Sequence, residues 1–390
     1  INWESTLWHE FCHVVTLNLT NNKMPRWLSE GISVYEEIQR NPACGQHMNS
    51  EYRKMILAGE LVPVSRLSGA FLSPPTPMHL QFAYYESSLV VEFLVDKYDL
   101  DSVKTILADL AKGEEINAII SRRIAPIEKI EKEFEAFVRK RAENLGKNVD
   151  WAEPEEKGRA DLSAPEALAE WLQKHPNSFW ALTQQANLLL EDENWEQAQI
   201  PLKKLISLYP SYTGEGNAYS LLAQIYRKLD DTEQERLTLN KLAAVSANAV
   251  DAYGRLMEIA FERKDWPSIL ENGNRYMAVY PMLGTVHLQM GRANEELGYN
   301  EEAIDSYRRL LLLDPADPAD INYRLAKLFK DQDPGTAKRY VLEALADAPR
   351  FRPAHRLLLK IISDTRSDPS DSESTSKKQD ALSAAQEDTP

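Results

Sequence analysis

Cysteine is nearly missing: Cys12 and Cys44 are the only two in 390 residues. Two thiols make no disulfide framework, so a small cross-braced scaffold is excluded, and the redox compartment stays open. Positive charge is short as well. With 45 Lys and Arg against 60 Asp and Glu, the formal net charge is −15. No basic patch interleaved with aromatics appears, which argues against a nucleic-acid partner. No apolar run is long enough to span a bilayer, and no charged-then-apolar leader opens the chain. The first residue is Ile1, not methionine, so an upstream part is expected to be missing. What the chain does have is 43% apolar residues, enough for real cores, in a length that fits two or three domains.

Distinct kinds of sequence follow one another. Residues 1–150 mix helical patterns with turn-rich stretches such as FLSPPTPMH (71–79). Residues 151–176 read as a linker and a leading helix. Residues 177–362 read as helix after helix. From 363 to 390 the chain is polar, rich in Ser and Asp; it cannot bury enough surface to offset its ordering entropy, so disorder is expected there.

Within the helical stretch the prolines keep time. Pro176, Pro210, Pro281, Pro315 and Pro349 are separated by 34, 71, 34 and 34 residues. The gap of 71 is two units of 34 with about three extra residues, assigned to TGEGN (213–217). A period of 34 is that of the tetratricopeptide repeat, a helix–turn–helix unit. MGRANEELGYNEEAIDSYRRLLLLDP (290–315) resembles one closely. Gly291 is small where the first helix must approach its partner, Ala303 is small where the second packs back, Tyr307 fills the gap, and Pro315 ends the unit. Ala186, Ala198 and Leu202 repeat the arrangement, while Gly273 stands where an aromatic is usual. Five units run from about 177 to 349, and RPAHRLLLKII (352–362) is expected to cap them. Such units stack into an α-solenoid whose groove holds peptides or partner helices, so a protein partner is expected. His175, His287 and His355 fall at what look like different repeat positions and read as surface or packing residues.

The chemistry concentrates in LWHEFCHVVTLNLTNNKMPRWLSEGISVYEE (7–37). On a helix, His9 and His13 are neighbours on one face and can reach one ion. Glu10 then lies beside the site without being a ligand, placed to take a proton from an attacking water. A catalytic zinc wants three protein ligands and one open position. The metzincin solution needs glycine at position 16 and histidine at 19, where this chain has Thr16 and Leu19. The other solution is a glutamate from a second helix running back beside the first. NNKMP (21–25) signals the turn, and Glu30 lies one or two turns into the helix that follows. Glu36 and Glu37 read as solvated charges, with Glu37 the fallback ligand and His47 a weaker one. Ser33, one turn beyond Glu30, is placed to support a ligand or is a plain helix residue. Cys12 reads as a small buried apolar residue, and a Cys44–His47 metal pair stands isolated.

HExxH followed by WLSEGISVY resembles the gluzincins, the thermolysin and aminopeptidase-N class, and is most similar to bacterial peptidase MA-like families that carry tetratricopeptide repeats. Trp27, Leu28, Glu30, Gly31 and Tyr35 carry the resemblance, with two residues fewer between His13 and Glu30 than the aminopeptidases have. It implies His9, His13 and Glu30 as zinc ligands and Glu10 as general base. FAYYESSLVVEFLVDKYDLDSVKTIL (82–107) is similar to the aminopeptidase segment whose tyrosine donates to the oxyanion; Tyr85 matches it, Tyr84 is the alternative register, and Ser87 and Ser88 replace Lys-Gly. AGELVPVSRL (58–67) and EAFVRKRAENLG (135–146) fit the same pattern, so the resemblance covers residues 1 to about 146.

The expected fold is therefore mainly α: a gluzincin-type helical domain, with the family's upstream β-subdomain outside this chain, followed by the repeat solenoid. The expected activity is zinc-dependent hydrolysis of peptide bonds in a peptide or protein substrate, by metal-activated water with Glu10 as base. The alternative is a repeat scaffold whose metal domain is idle. The resemblance also implies a bacterial cell envelope or exported setting.

Overall fold

The computed structural model describes residues 2–155 and 164–366. Among them are twenty α-helices, one 3-10 turn (Val64–Arg66) and no strand, only an isolated parallel bridge between Asp150 and Ser178. The expected all-helical architecture is present. No helix among the described residues is long and apolar enough to cross a membrane. The chain divides into two compact units, Ile1–Ile259 and Ala260–Pro390.

The first unit opens with a helical hairpin. Asn2 caps α1 (Trp3–Leu19), its Oδ1 accepting the Ser5 amide. Asn21 and Asn22 then turn the chain with φ of 50° and 58°, a left-handed conformation that asparagine tolerates better than most residues. Pro25 opens α2 (Arg26–Arg40). Then come α3 (Ser50–Ala58), α4 (Leu67–Leu72) and the long α5 (Pro77–Tyr98), which Thr76 caps and Pro77 starts. Helices α6 (Leu100–Ala111), α7 (Ile116–Arg123) and α8 (Ile127–Asn144) complete the packing. Phe82, Leu89, Val90, Phe93 and Leu94 of α5 lie inside one core with Trp27, Leu28, Ile56, Leu67, Ile106, Ile120 and Val138. A helix apolar on most sides has to be central, and α5 is.

Helix α2 lies hard against α5 because Gly31 lets it: a Cβ there would stand 2.5 Å from the Ser87 carbonyl oxygen. The outer side of α1 is a contrast. Trp3, Leu7, Phe11, Val14 and Leu19 are exposed, and Cys12 and Thr16 are its buried residues.

After α9 (Pro165–Lys174) come five hairpins. They are α10/α11 (Phe179–Glu191, Trp195–Leu208), α12/α13 (Ala218–Lys228, Thr232–Val245) and α14/α15 (Val250–Glu262, Trp266–Met277). Next are α16/α17 (Gly284–Leu297, Asn300–Leu312) and α18/α19 (Pro318–Phe329, Pro334–Asp347). The extra residues fall where expected, in the long connection from 209 to 217. The cap helix α20 (Arg352–Arg366) runs past its expected end at 362; the rest of the polar tail, 367–390, lies outside the described residues.

Gly291 and Tyr307 do what their spacing predicts. A Cβ at Gly291 would lie 2.5 Å from the Tyr307 ring, which is fully buried beside Ala303. Left-handed residues mark the turns inside four hairpins: Glu193, Asp230, Lys264 and Gly298, with φ of 55°, 55°, 56° and 77°.

The histidine expectation needs correction. His287 and His355 are two periods apart and occupy the same repeat position, each donating through Nε2 to the carbonyl of the proline ending the previous unit, Pro281 at 2.8 Å and Pro349 at 2.9 Å. Tyr219 and Tyr253 hold the equivalent position and donate to Pro210 and Ser246 at 2.8 and 2.5 Å. His175 stacks on Trp171 and bonds Asp150.

Candidate metal centre

The hairpin of α1 and α2 gathers the residues its sequence singles out. His9 and His13 stand edge to face on α1, ring centroids 4.7 Å apart. Glu30 comes across from α2. Its Oε2 lies 3.3 Å from His9 Nε2 and 3.3 Å from His13 Nε2. One donor atom from each of the three falls within 4.8 Å of the others, and this is the one such group of three or more potential ligands among the described residues. Glu37 is not part of it, nor is a Cys44–His47 pair.

The far side of each imidazole is occupied. His9 Nδ1 lies 2.6 Å from Glu37 Oε1, and Ser5 Oγ donates to Glu37 Oε2 at 2.5 Å. An ionised carboxylate only accepts, so Nδ1 carries a proton toward Glu37, and Nε2 is the nitrogen left facing Glu30, free to take a metal ion in exchange for its own proton. His13 Nδ1 lies 2.8 Å from Ser29 Oγ and 3.3 Å from Ser33 Oγ. Glu37 is thus no solvated charge but the orienting partner of His9. Burial pulls the His9 imidazole down, but the bonds and charges of Glu30 and Glu37 outweigh it and hold the ring up at about 9. Burial raises the Glu30 carboxyl, and His9, His13 and Arg26 together bring it below its ordinary value. Two imidazole Nε2 atoms and one carboxylate oxygen, each imidazole held from behind, are a donor set that fits a zinc ion with one position left open.

Glu10 sits on α1 beside His9, exposed, its carboxylate making no hydrogen bond or ion pair to the described residues. Cys12 is buried, and burial followed by Glu36 and Glu37 pushes its thiol up to about 11, which leaves it an unreactive core residue.

Tyr85 is where the structure departs most from the sequence reading. It is 4% exposed, stacks on Tyr52 at 4.9 Å, and lines a cavity of about 720 Å³ with His47, Glu92, Arg141 and Tyr209. Its neighbour Tyr84 is the one that meets the metal hairpin. Arg26 Nη2 donates to the Tyr84 hydroxyl at 2.9 Å, and Arg26 Nε lies 3.3 Å from Glu30 Oε1. Phe71 packs beneath both, its ring 5.2 Å from the guanidinium and 5.1 Å from the Tyr84 ring. Consecutive helical residues point about 100° apart, so only one of the pair can face Glu30. Ser87 and Ser88 bond back to their own helix, at Ala83 and Tyr85. Glu86 turns onto the 60–64 segment, where its Oε1 takes the Val62 amide; burial drives this carboxyl far above its usual range. No sequence signal pointed to Arg26.

Residues 1–140 match the Peptidase MA superfamily, and residues 180–212 and 284–317 each match a tetratricopeptide repeat. No curated protein matches the chain. Among solved structures it is similar to YrrB, described as a tetratricopeptide-repeat protein with an unusual peptide-binding site, at 18% identity over 50% of this chain and 98% of that one, TM-score 0.37. It is similar to MamA from Desulfovibrio magneticus RS-1 at 15% over 43% and 93%, TM-score 0.32. A third is a thermophilic tetratricopeptide-repeat protein of Thermus thermophilus, at 21% over 50% and 88%, TM-score 0.21. At such identities and scores these likenesses carry nothing about ligands. The chain thus bears a Peptidase MA superfamily domain at residues 1–140, followed by tetratricopeptide repeats.

Proposed function

We propose that residues 1 to about 150 form a zinc-dependent peptidase of gluzincin type, and that the repeats recruit its substrate or a protein partner. The observation that carries this reading is the convergence of His9 Nε2, His13 Nε2 and Glu30 Oε2 beside an unpaired Glu10. Zinc held by those three atoms supplies Lewis acidity and lowers the pKa of water toward about 7. Glu10 accepts the proton of the attacking water on its carboxylate and passes it to the departing amine. Tyr84, in place of Tyr85, donates to the carbonyl oxygen as negative charge develops there. Its own oxygen accepts from Arg26, which leaves its single O–H hydrogen free for that bond and strengthens it. Glu37 and Ser29 keep both imidazoles turned with Nε2 inward.

The test is hydrolysis of a peptide library by zinc-loaded protein and its Glu10→Gln variant. Glu10→Gln should keep zinc and lose about 10²–10⁴ in rate, the usual worth of a positioned base. Equal cleavage by the variant, or none by the zinc-loaded wild type, overturns the peptidase. The account left would be a repeat scaffold with an idle metal domain, which the five hairpins support.

A further inference from the structure

We propose that the turn at Ser246–Ala247, between α13 and α14 of the repeats, is a positioning element for the metal hairpin. The inference rests on the reading that His9, His13 and Glu30 hold a metal. Ala247 makes two bonds out of the repeats. Its amide donates to the Ala43 carbonyl at 3.2 Å, and its carbonyl accepts from Asn2 Nδ2 at 3.2 Å. Asn2 and Ala247 are both buried, at 8% and 7% exposure.

The two contacts reach different arms of one device. Asn2 is the cap of α1, which carries His9 and His13. Ala43 lies in the turn just after α2, which carries Glu30 and Glu37; there Cys44 N–H bonds back to the Asn41 carbonyl. The hairpin is closed at one end by its own Asn21–Pro25 connection. Ala247 pins the other end, with one residue bridging both arms.

Leverage makes that pin matter. At 1.5 Å per residue, Asn2 stands about 27 Å from the closed end and His9 about 16 Å. A splay of about 1 Å at the pin therefore moves His9 against Glu30 by about 0.6 Å, whereas metal–ligand distances tolerate only about ±0.2 Å. The pin is stiff on its own side. Tyr253 Oη donates to the Ser246 carbonyl at 2.5 Å, and the Asn248 amide donates to Ser246 Oγ at 3.3 Å. Whatever shifts the α13–α14 turn is thereby transmitted to the metal ligands.

The experiment uses the full chain. Asn2→Asp keeps an oxygen to cap α1, a role aspartate fills as well as asparagine, but loses the N–H that reaches Ala247. Ala247→Pro removes the other bond, and Ser246 already has the extended backbone, φ −135° and ψ 120°, that a following proline demands. Three quantities are read: zinc affinity by chelator competition, the visible spectrum of the cobalt(II)-substituted protein, and the melting temperature without metal. Expected are roughly tenfold weaker zinc binding, the usual scale for loss of an outer support, and an altered cobalt spectrum, with the metal-free melting temperature of Asn2→Asp lowered by less than the loss of zinc affinity would require. Zinc affinity and cobalt spectrum as in the wild type would overturn the inference. So would a loss of zinc affinity wholly matched by a loss of metal-free stability, which marks a merely structural contact. If Ala247→Pro fails to fold, Asn2→Asp decides. A wild type that binds no zinc overturns the metal reading itself, and the positioning role with it.

Discussion

The metal hairpin and the repeats each use a glycine to press two helices together, and the two glycines meet different neighbours. At Gly31 the neighbour is main chain, the carbonyl of Ser87; at Gly291 it is a side chain, the ring of Tyr307. Both regions also hold a carboxylate among three partners. Glu30 gathers His9, His13 and Arg26, while Glu295 accepts from Tyr307, Arg324 and Lys327. In a repeat, an insult is local, because each unit leans only on its neighbours. In the hairpin, moving α2 carries Glu30 with it. The same devices serve stability in one region and donor geometry in the other.

Glu30 offers the largest break in the comparison. Glu30→Gln should weaken zinc binding by more than about 100-fold, beyond the range seen for outer supports, by chelator competition. If it binds as the wild type while Glu37→Gln does not, the third ligand is Glu37. Next is the tyrosine pair: Tyr84→Phe should lower kcat by about 10²–10³ with zinc retained, and Tyr85→Phe should leave kcat unchanged in steady-state assays. The glycines come third. Gly31→Ala should cost about 1–3 kcal/mol by overpacking and loosen zinc. Gly291→Ala should cost less in denaturant unfolding, since its neighbour is a side chain rather than main chain, with zinc untouched. Equal costs and equal zinc binding would erase the distinction.

The smallest effect belongs to Glu295. Burial raises this carboxyl, but Lys327, Arg324 and Tyr307 bring it below its ordinary value. Its stabilisation is therefore fully present above the usual carboxylate range and is lost as pH falls through the lowered value. Glu295→Gln should cost about 1 kcal/mol at neutral pH and flatten the acid limb of the melting curve, without altering zinc affinity.

Most of the repeats and the convergence of His9, His13 and Glu30 were legible in the sequence, for a shared reason: both are written in helical spacing. His9 and His13 differ by four, the Asn-rich turn returns the chain, and the 34-residue period orders the rest. The contact of Tyr84 with Arg26 was harder to foresee because α5 is buried on most sides, so its pattern names no face toward Glu30, and the aminopeptidase likeness put Tyr85 first, with Tyr84 as the alternative register. Glu37 read as solvated because its partners, Ser5 and His9, lie on another helix. The shared donor position of Tyr219, Tyr253, His287 and His355 was hidden because it holds different residue types. The Ala247 pin is made partly of main chain, on which side-chain patterns are silent.

The left-handed turns inside the hairpins point to unused headroom. Gly298 alone escapes the cost of about 1–2 kcal/mol that a Cβ incurs in that conformation; Glu193, Asp230 and Lys264 all bear it. Glycine at those three positions recovers part of that cost at each turn, even after its own entropic penalty of roughly 0.5–1 kcal/mol. Nothing else about the packing has to change. The helical array can thus be stabilised at sites separate from those that gather around Glu30, by at most about 1 kcal/mol at each turn.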